Sequence, residues 1–244
     1  MTNVILENFL QLIIISPILF FSLKKKNKET FGILLAFVFI YFLDSILLEL
    51  PRHYPALRIF HWDTHWNWNG KFYATIGSIL FLVFYRKFKL ADYFLTFKQN
   101  KQFAKTGFLI VASILMIKSS VFYFYDTKMN WNLDTLLYQF SAPGINEEII
   151  YRGIMLGLFT KVLKPKIMFL NPAIVITALL FGLTHGLSIN DSFEINFALT
   201  SFLRTFGLGL VWAWLTLRSG SILLALVAHN LGNGLPNLIR MKFI

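Results

Sequence analysis

The sequence predicts an all-α fold, a polytopic bundle of about eight transmembrane helices. Three observations carry this. The chain of 244 residues is 56% hydrophobic and only 14% charged, against roughly 25% charged in ordinary soluble domains. Phenylalanine alone occurs 27 times, and a soluble core of this size has no room for so much apolar surface. Apolar stretches also recur along the chain, each near the ~20 residues that cross a hydrocarbon core. A spanning segment must satisfy its own backbone hydrogen bonds, which selects helices.

The apolar segments run approximately over 4–23, 31–50, 70–87, 106–125, 136–160, 167–187, 194–217 and 219–238. The first starts apolar almost at once. It lacks a basic leader and a small-residue cleavage site, so it reads as a retained helix rather than a removed signal peptide. The third is the shortest. The last holds two glycines and a proline near its end, which softens its boundary. The expected organisation is four N-terminal helices over 1–135, a helical core over 136–238 and a short tail over 239–244. No second, soluble domain is expected.

A formal net charge of +11 raises the question of nucleic acid. The cations instead gather in short loops between apolar runs: Lys24–Lys28, Arg86–Lys89, Lys98–Lys105 and Lys161–Lys166. That is the positive-inside pattern, and no nucleic-acid partner is expected. It places both termini outside and the basic loops in the cytoplasm of a multi-pass protein. The lack of cysteine excludes disulfides, thiol catalysis and thiolate metal sites.

The loop from Pro51 to Gly70 carries Trp62, Trp66, Trp68, His53, His61, Asp63 and His65. Tryptophan and histidine suit the headgroup layer. A metal site is the competing reading, since His61 and His65 are i,i+4 partners on any helix, with Asp63 between. Asp44 and Lys118 are expected to snorkel or pair with polar groups in the bundle. Arg204 is expected to face the bundle interior in a structural role.

Ionisable groups inside apolar segments mark functional sites by default. Residues 146–153 read Asn-Glu-Glu-Ile-Ile-Tyr-Arg-Gly. On a helix, Glu148 and Arg152 are i,i+4 neighbours in the favourable acid-before-base order, and Glu147 points about 100° away. The arginine then holds one glutamate and leaves the other without a cation. Such a carboxylate in a low-dielectric site suits a general base that takes a proton from water. Gly153 and Gly157 read as a packing motif. Phe181 and His185 share a helix face at the end of the sixth segment. His229 and Asn233 share a face in the eighth, offering an imidazole and an amide that donates to a developing oxyanion.

These three stretches resemble the CPBP family, the intramembrane proteases that include type II CAAX prenyl endopeptidases and bacteriocin-immunity or bacteriocin-processing (Abi) proteins. The family motifs E-E-x-x-x-R, F-x-x-x-H and H-x-x-x-N stand in order as Glu147-Glu148-x-x-x-Arg152, Phe181-x-x-x-His185 and His229-x-x-x-Asn233. The resemblance covers about 136–238. It implies that Glu147 activates water for attack on a peptide carbonyl and that His185 holds or polarises that water. His229 and Asn233 would stabilise the oxyanion, with Glu148 and Arg152 bracing the site. Members are often named metalloproteases, so zinc on Glu147, His185 and His229 stays open beside a metal-free glutamate mechanism, which the reading favours slightly.

At ~1.5 Å per residue, Glu147 lies roughly 20 Å from the basic end near Lys161, His229 roughly 16 Å from Arg218, and His185 nearer 25 Å from its own basic loop. The three are expected at mid-depth or in the outer half, around a cavity that opens outward. The resemblance to the prenyl-protein branch implies a cytosolic opening instead. The partners expected are a membrane-associated peptide or protein substrate and the lipid bilayer, in a bacterial inner membrane. A prenylated substrate is not expected there. The alternatives are a non-proteolytic scaffold or regulator, or a bacteriocin self-immunity protein, of the same fold. A proton-relay transporter ranks last, because no internal repeat is visible.

Overall fold

A computed structural model describes residues 1–125, 127–167 and 170–242. Of the described residues, 75% are helical. The helices are α1 (Thr2–Ser22), α2 (Lys28–His53), α3 (Trp68–Phe84), α4 (Lys101–Tyr125), α5 (Leu133–Gln139) and α6 (Ala142–Glu147). They continue with α7 (Leu156–Val162), α8 (Pro172–Gly186), α9 (Leu199–Ser219) and α10 (Leu223–Lys242). Between α6 and α7 the helix widens into a π-helical stretch, Glu148–Met155.

Asparagine starts several of these helices. The side chains of Asn27, Asn67, Asn132 and Asn171 accept from the backbone N–H of Thr30, Gly70, Thr135 and Ala173. Each satisfies a donor that a helix start leaves unpaired. At the other end of α9, Gly220 adopts φ 76°, the left-handed conformation that glycine adopts without a Cβ clash.

Residues 150–159 form the centre of the bundle. Ile150, Ile154, Met155, Leu156, Leu158 and Phe159 are fully buried and pack against Ile15, Phe37, Ile40, Ile176, Leu180 and Ala213. A helix apolar all round belongs in such a place. A smaller core joins α4 to α9 and α10 through Phe103, Val111, Trp212 and Leu215. The outward faces of α1, α2 and α4 expose Phe9, Phe21, Leu35, Phe108, Ile117 and Phe124, as lipid-facing surfaces do. Among the described residues, α1, α2 and α4 are long and apolar enough to cross a membrane.

Three elements differ from the sequence expectation. The segment 136–160 is not one helix: it breaks at Phe140–Ser141 and widens at Glu148. Pro143 sits in the first turn of α6, where its missing N–H costs nothing. The link after His185 is a short hairpin, β1 (Leu187–Ile189) antiparallel to β2 (Ile195–Phe197), with Leu187 opposite Phe197 and Ile189 opposite Ile195. The Gly153–Gly157 face packs not on a long helix but on a single 3₁₀ turn, Leu90–Tyr93, in the link after α3. A Cβ on Gly157 would meet the Asp92 carbonyl at 2.8 Å and the Tyr93 ring at 2.9 Å.

The basic loops gather at one end of the bundle. The Lys24 N–H donates to Val162 O at 2.9 Å, Lys161 Nζ reaches Asp92 Oδ1 at 2.5 Å, and Lys87 pairs with Glu29 at 3.1 Å. The Asn100 N–H donates to Ser219 O at 2.7 Å at that same end. The opposite end joins the Met1 ammonium to His53 Nε2 at 2.7 Å and Asn3 to the hairpin turn at Asn190 and Asp191.

Candidate active site

The residues picked from the sequence converge on a cavity of about 680 Å³ in the half of the bundle away from the basic loops. Glu147, His185, His229 and Asn233 line it. Glu148 and Arg152 lie behind its wall, 0% and 1% exposed.

α6 ends at Glu147 and the π-helical stretch begins at Glu148, so the two carboxylates sit at a change of helical pitch. π-helical turns are frequent at functional sites. Glu148 and Arg152 stay within reach, with Oε1 3.3 Å from Nη1. The guanidinium also lies 4.2 Å over the Phe181 ring, a cation–π contact that offsets some of the cost of a buried charge. The Phe181 ring in turn contacts His185, with centroids 4.6 Å apart, and His229 at 6.1 Å.

His229 touches both glutamates. Its Nδ1 is 2.7 Å from Glu148 Oε1, and its Nε2 is 3.6 Å from Glu147 Oε2. A carboxylate accepts, so Nδ1 carries the proton in this bond, and Glu148 fixes the ring's orientation. His185 Nδ1 donates to Phe181 O at 2.8 Å. In a neutral ring that leaves Nε2 as an acceptor. Asn233, one turn beyond His229, is half-buried on the same wall.

The expectation that Glu147 has no cation is overturned. Lys71, near the start of α3, places its ammonium 2.8 Å from Glu147 Oε1 and 2.9 Å from Asn146 Oδ1. Asn146 Nδ2 then donates to Asp44 Oδ1 at 3.0 Å. A polar chain thus runs from Asp44 through Asn146, Lys71 and Glu147 to His229, Glu148 and Arg152. The expected pairing of Asp44 with a polar group is met by Asn146. Sequence reading missed Lys71 because it sits at the mouth of an apolar segment, where a lysine ordinarily snorkels.

Two further expectations change. Arg204 is exposed on the cavity wall rather than enclosed in the bundle interior, because it lies near the start of α9, beside the cavity. The stretch holding His61 and His65 is not helical, so the two are not i,i+4 partners. That loop docks onto α5 instead: Trp66 Nε1 donates to Thr135 Oγ1 at 2.9 Å and Trp68 Nε1 to Asp134 Oδ1 at 2.7 Å. Trp66 also stacks on Tyr138 at 4.9 Å. Pro51–Gly70 therefore forms an aromatic roof next to the cavity.

Among the described residues no three His, Asp or Glu side chains gather as a ligand set. An ammonium already holds Glu147 Oε1, and the hydrogen bonds at Nδ1 leave Nε2 of each histidine toward the cavity. What the wall offers is a carboxylate oxygen, an imidazole nitrogen beside it, a second imidazole and an amide, all facing one water-accessible space.

Residues 129–235 match the family described as Type II CAAX prenyl endopeptidase Rce1-like. Comparison with curated proteins and with solved structures finds no match. The matched segment is less than half of the chain, yet it holds every side chain of the site except Asp44 and Lys71. Residues 129–235, the stretch that carries the site, are thus similar to the Rce1-like, type II CAAX prenyl endopeptidase family.

Proposed function

We propose that the chain is an intramembrane endopeptidase in which Glu147 activates water directly, without a metal. The observation that carries this is Glu147 Oε2 facing His229 Nε2 at 3.6 Å on the cavity wall, while Lys71 holds the other oxygen at 2.8 Å. Glu147 takes a proton from water, and the resulting hydroxide attacks the peptide carbonyl carbon. His185 accepts a hydrogen bond from that water through Nε2 and aims it. The Asn233 amide donates to the oxyanion as charge develops, and His229 donates to it through Nε2 once its ring carries a second proton, Nδ1–H being held by Glu148. Glu147 then returns the proton to the leaving nitrogen as the C–N bond breaks. Glu148 and Arg152 set the tilt of His229 and do not touch the substrate.

The substrate is a membrane-associated peptide or protein whose scissile bond reaches the cavity, and the protein resides in a bacterial inner membrane. The test is cleavage of a lipid-embedded peptide library by wild type, Glu147→Gln and His229→Ala, with and without chelator. Loss of a general base or its partner is expected to slow turnover by about 10²- to 10⁴-fold, with no effect of chelator on wild type. A chelator that abolishes wild-type turnover would sink the metal-free reading. Folded wild type that cleaves nothing while retaining its biological effect would favour a scaffold or self-immunity protein.

A further inference from the structure

Lys118 and Arg204 are two cations of the cavity wall that the mechanism leaves unused. Both line the cavity that holds Glu147 and His229. Among the described residues neither meets a carboxylate, whereas the other cations of the same wall are engaged: Arg52 by Glu49, Lys71 by Glu147 and Arg240 by the Thr127 carbonyl. A pair of like charges on a partly dry wall is costly unless a counter-charge joins it.

Their position relates this pair to the chemistry. Lys118 Nζ lies 3.7 Å from where a Cβ on Gly232 would stand. Gly232 follows His229 by three residues on α10, about 4.5 Å along the axis. The ammonium is therefore roughly one helical turn from the imidazole that faces Glu147.

We infer that Lys118 and Arg204 form an anion subsite of the cavity that selects peptide substrates bearing a carboxylate close to the scissile bond. This rests on the endopeptidase reading. A peptide brings such a carboxylate as an acidic side chain or as its own C-terminus. A lipid phosphate fits the position less well. Lys118 is seven residues inside the end of α4 at Tyr125, about 10 Å along the axis. Arg204 is five residues inside the start of α9 at Leu199. Both stand inside their helices rather than at the ends, where headgroup contacts concentrate.

The experiment uses the full chain in phosphatidylcholine nanodiscs and fluorescein-labelled decapeptides, N-methylated at alternate bonds to resist cleavage. One peptide has a central glutamate and an amidated end. A second has glutamine there and an amidated end. A third has glutamine and a free C-terminal carboxylate. Anisotropy is expected to show the first or third binding about tenfold tighter than the second, as a charge-assisted hydrogen bond gives. Which of them gains identifies the source of the carboxylate. Lys118→Gln with Arg204→Gln removes the advantage, and Lys118→Glu shifts preference to a lysine-bearing peptide. Equal binding of all three peptides overturns the inference, as does a preference that survives the double glutamine variant. Competition by glycerol phosphate, without any carboxylate preference, assigns the subsite to lipid and also overturns it. Binding is read without turnover, so failure of the protease reading appears separately, as wild type that prefers the anionic peptide yet cuts no unmethylated one.

Discussion

Lys71 is the residue on which the site's electrostatics turn. It pairs with Glu147 at 2.8 Å, each side chain 12% exposed. Breaking a buried pair leaves a carboxylate with no counter-charge, which costs more than the pair contributes. Lys71→Met is expected to lower stability by up to about 3 kcal/mol and to abolish cleavage, and Lys71→Arg to restore part of both. Unfolding in mild detergent and turnover of a library-selected peptide measure the two effects. A Lys71→Met protein as stable and active as wild type would remove Lys71 from the site. Glu147, Glu148, Arg152, His185 and His229 stand out in the sequence because charged and imidazole groups in apolar runs are conspicuous, and Asn233 because it falls one helical turn after His229. Lys71 was not, because its partner is 76 residues away and only folding shows that the lysine turns inward.

The central helical stretch shows what periodicity reveals and what it misses. The apolar run over 136–160 is visible in the sequence, but its break and its π-helical turn are not. Ala142-Pro143-Gly144 was the available signal, a proline at a helix start. The widened pitch leaves no such mark, because it reflects how α6 and α7 each dock rather than any local propensity. Gly157 is a sharper case. Its face meets backbone at Asp92 and Tyr93, whereas Gly207 has nothing within 4 Å of its would-be Cβ. Gly157→Leu is expected to destabilise by about 1–3 kcal/mol through overpacking, and Gly207→Ala to leave stability unchanged. Thermal unfolding of the two variants separates them, and equal effects would mean that the loop yields. The same loop carries a pH signature. The hydrogen bond from Lys161, then that from the Lys89 backbone, holds Asp92 below the usual carboxylate range. Its contribution is thus present above about pH 4 and fades as pH falls through the lowered value. Both partners are about one-third exposed, so Asp92→Asn should cost less than about 1 kcal/mol near neutral pH. The cost should shrink further in acid, and an undiminished difference at low pH would contradict the assignment.

Over the whole molecule, the distribution of lysine and arginine was legible as a single end of the bundle. The structure joins those loops through Lys24, Asp92, Lys161 and Ser219. The absence of cysteine makes the orientation directly measurable. Single cysteines at Lys26, Lys87 and Lys164 are expected to label with an impermeant maleimide from one side of the membrane. Those at Thr64 and Asn190 should label from the other. Mixed labelling within either set would refute the shared end. The depth of the site was also legible, since counting residues from the basic loops placed Glu147, His185 and His229 toward the far half. The number of helices able to cross a membrane was harder to read, because the helices that build the cavity are shortened, widened or made polar by it.

The hairpin after α8 has a practical bearing. His185 sits at the end of α8, and β1 begins two residues later. The Ile189 N–H is anchored on Glu7 Oε1 at 2.7 Å, and Asn3 holds the turn at Asn190 and Asp191. The first turns of α1 are thus moored to the imidazole that aims the water, across 182 residues of chain. Anything fused ahead of Met1 pulls on that mooring. A purification handle placed there risks yielding soundly folded protein with a misaligned histidine, and an inert preparation would then report on the handle rather than on the enzyme.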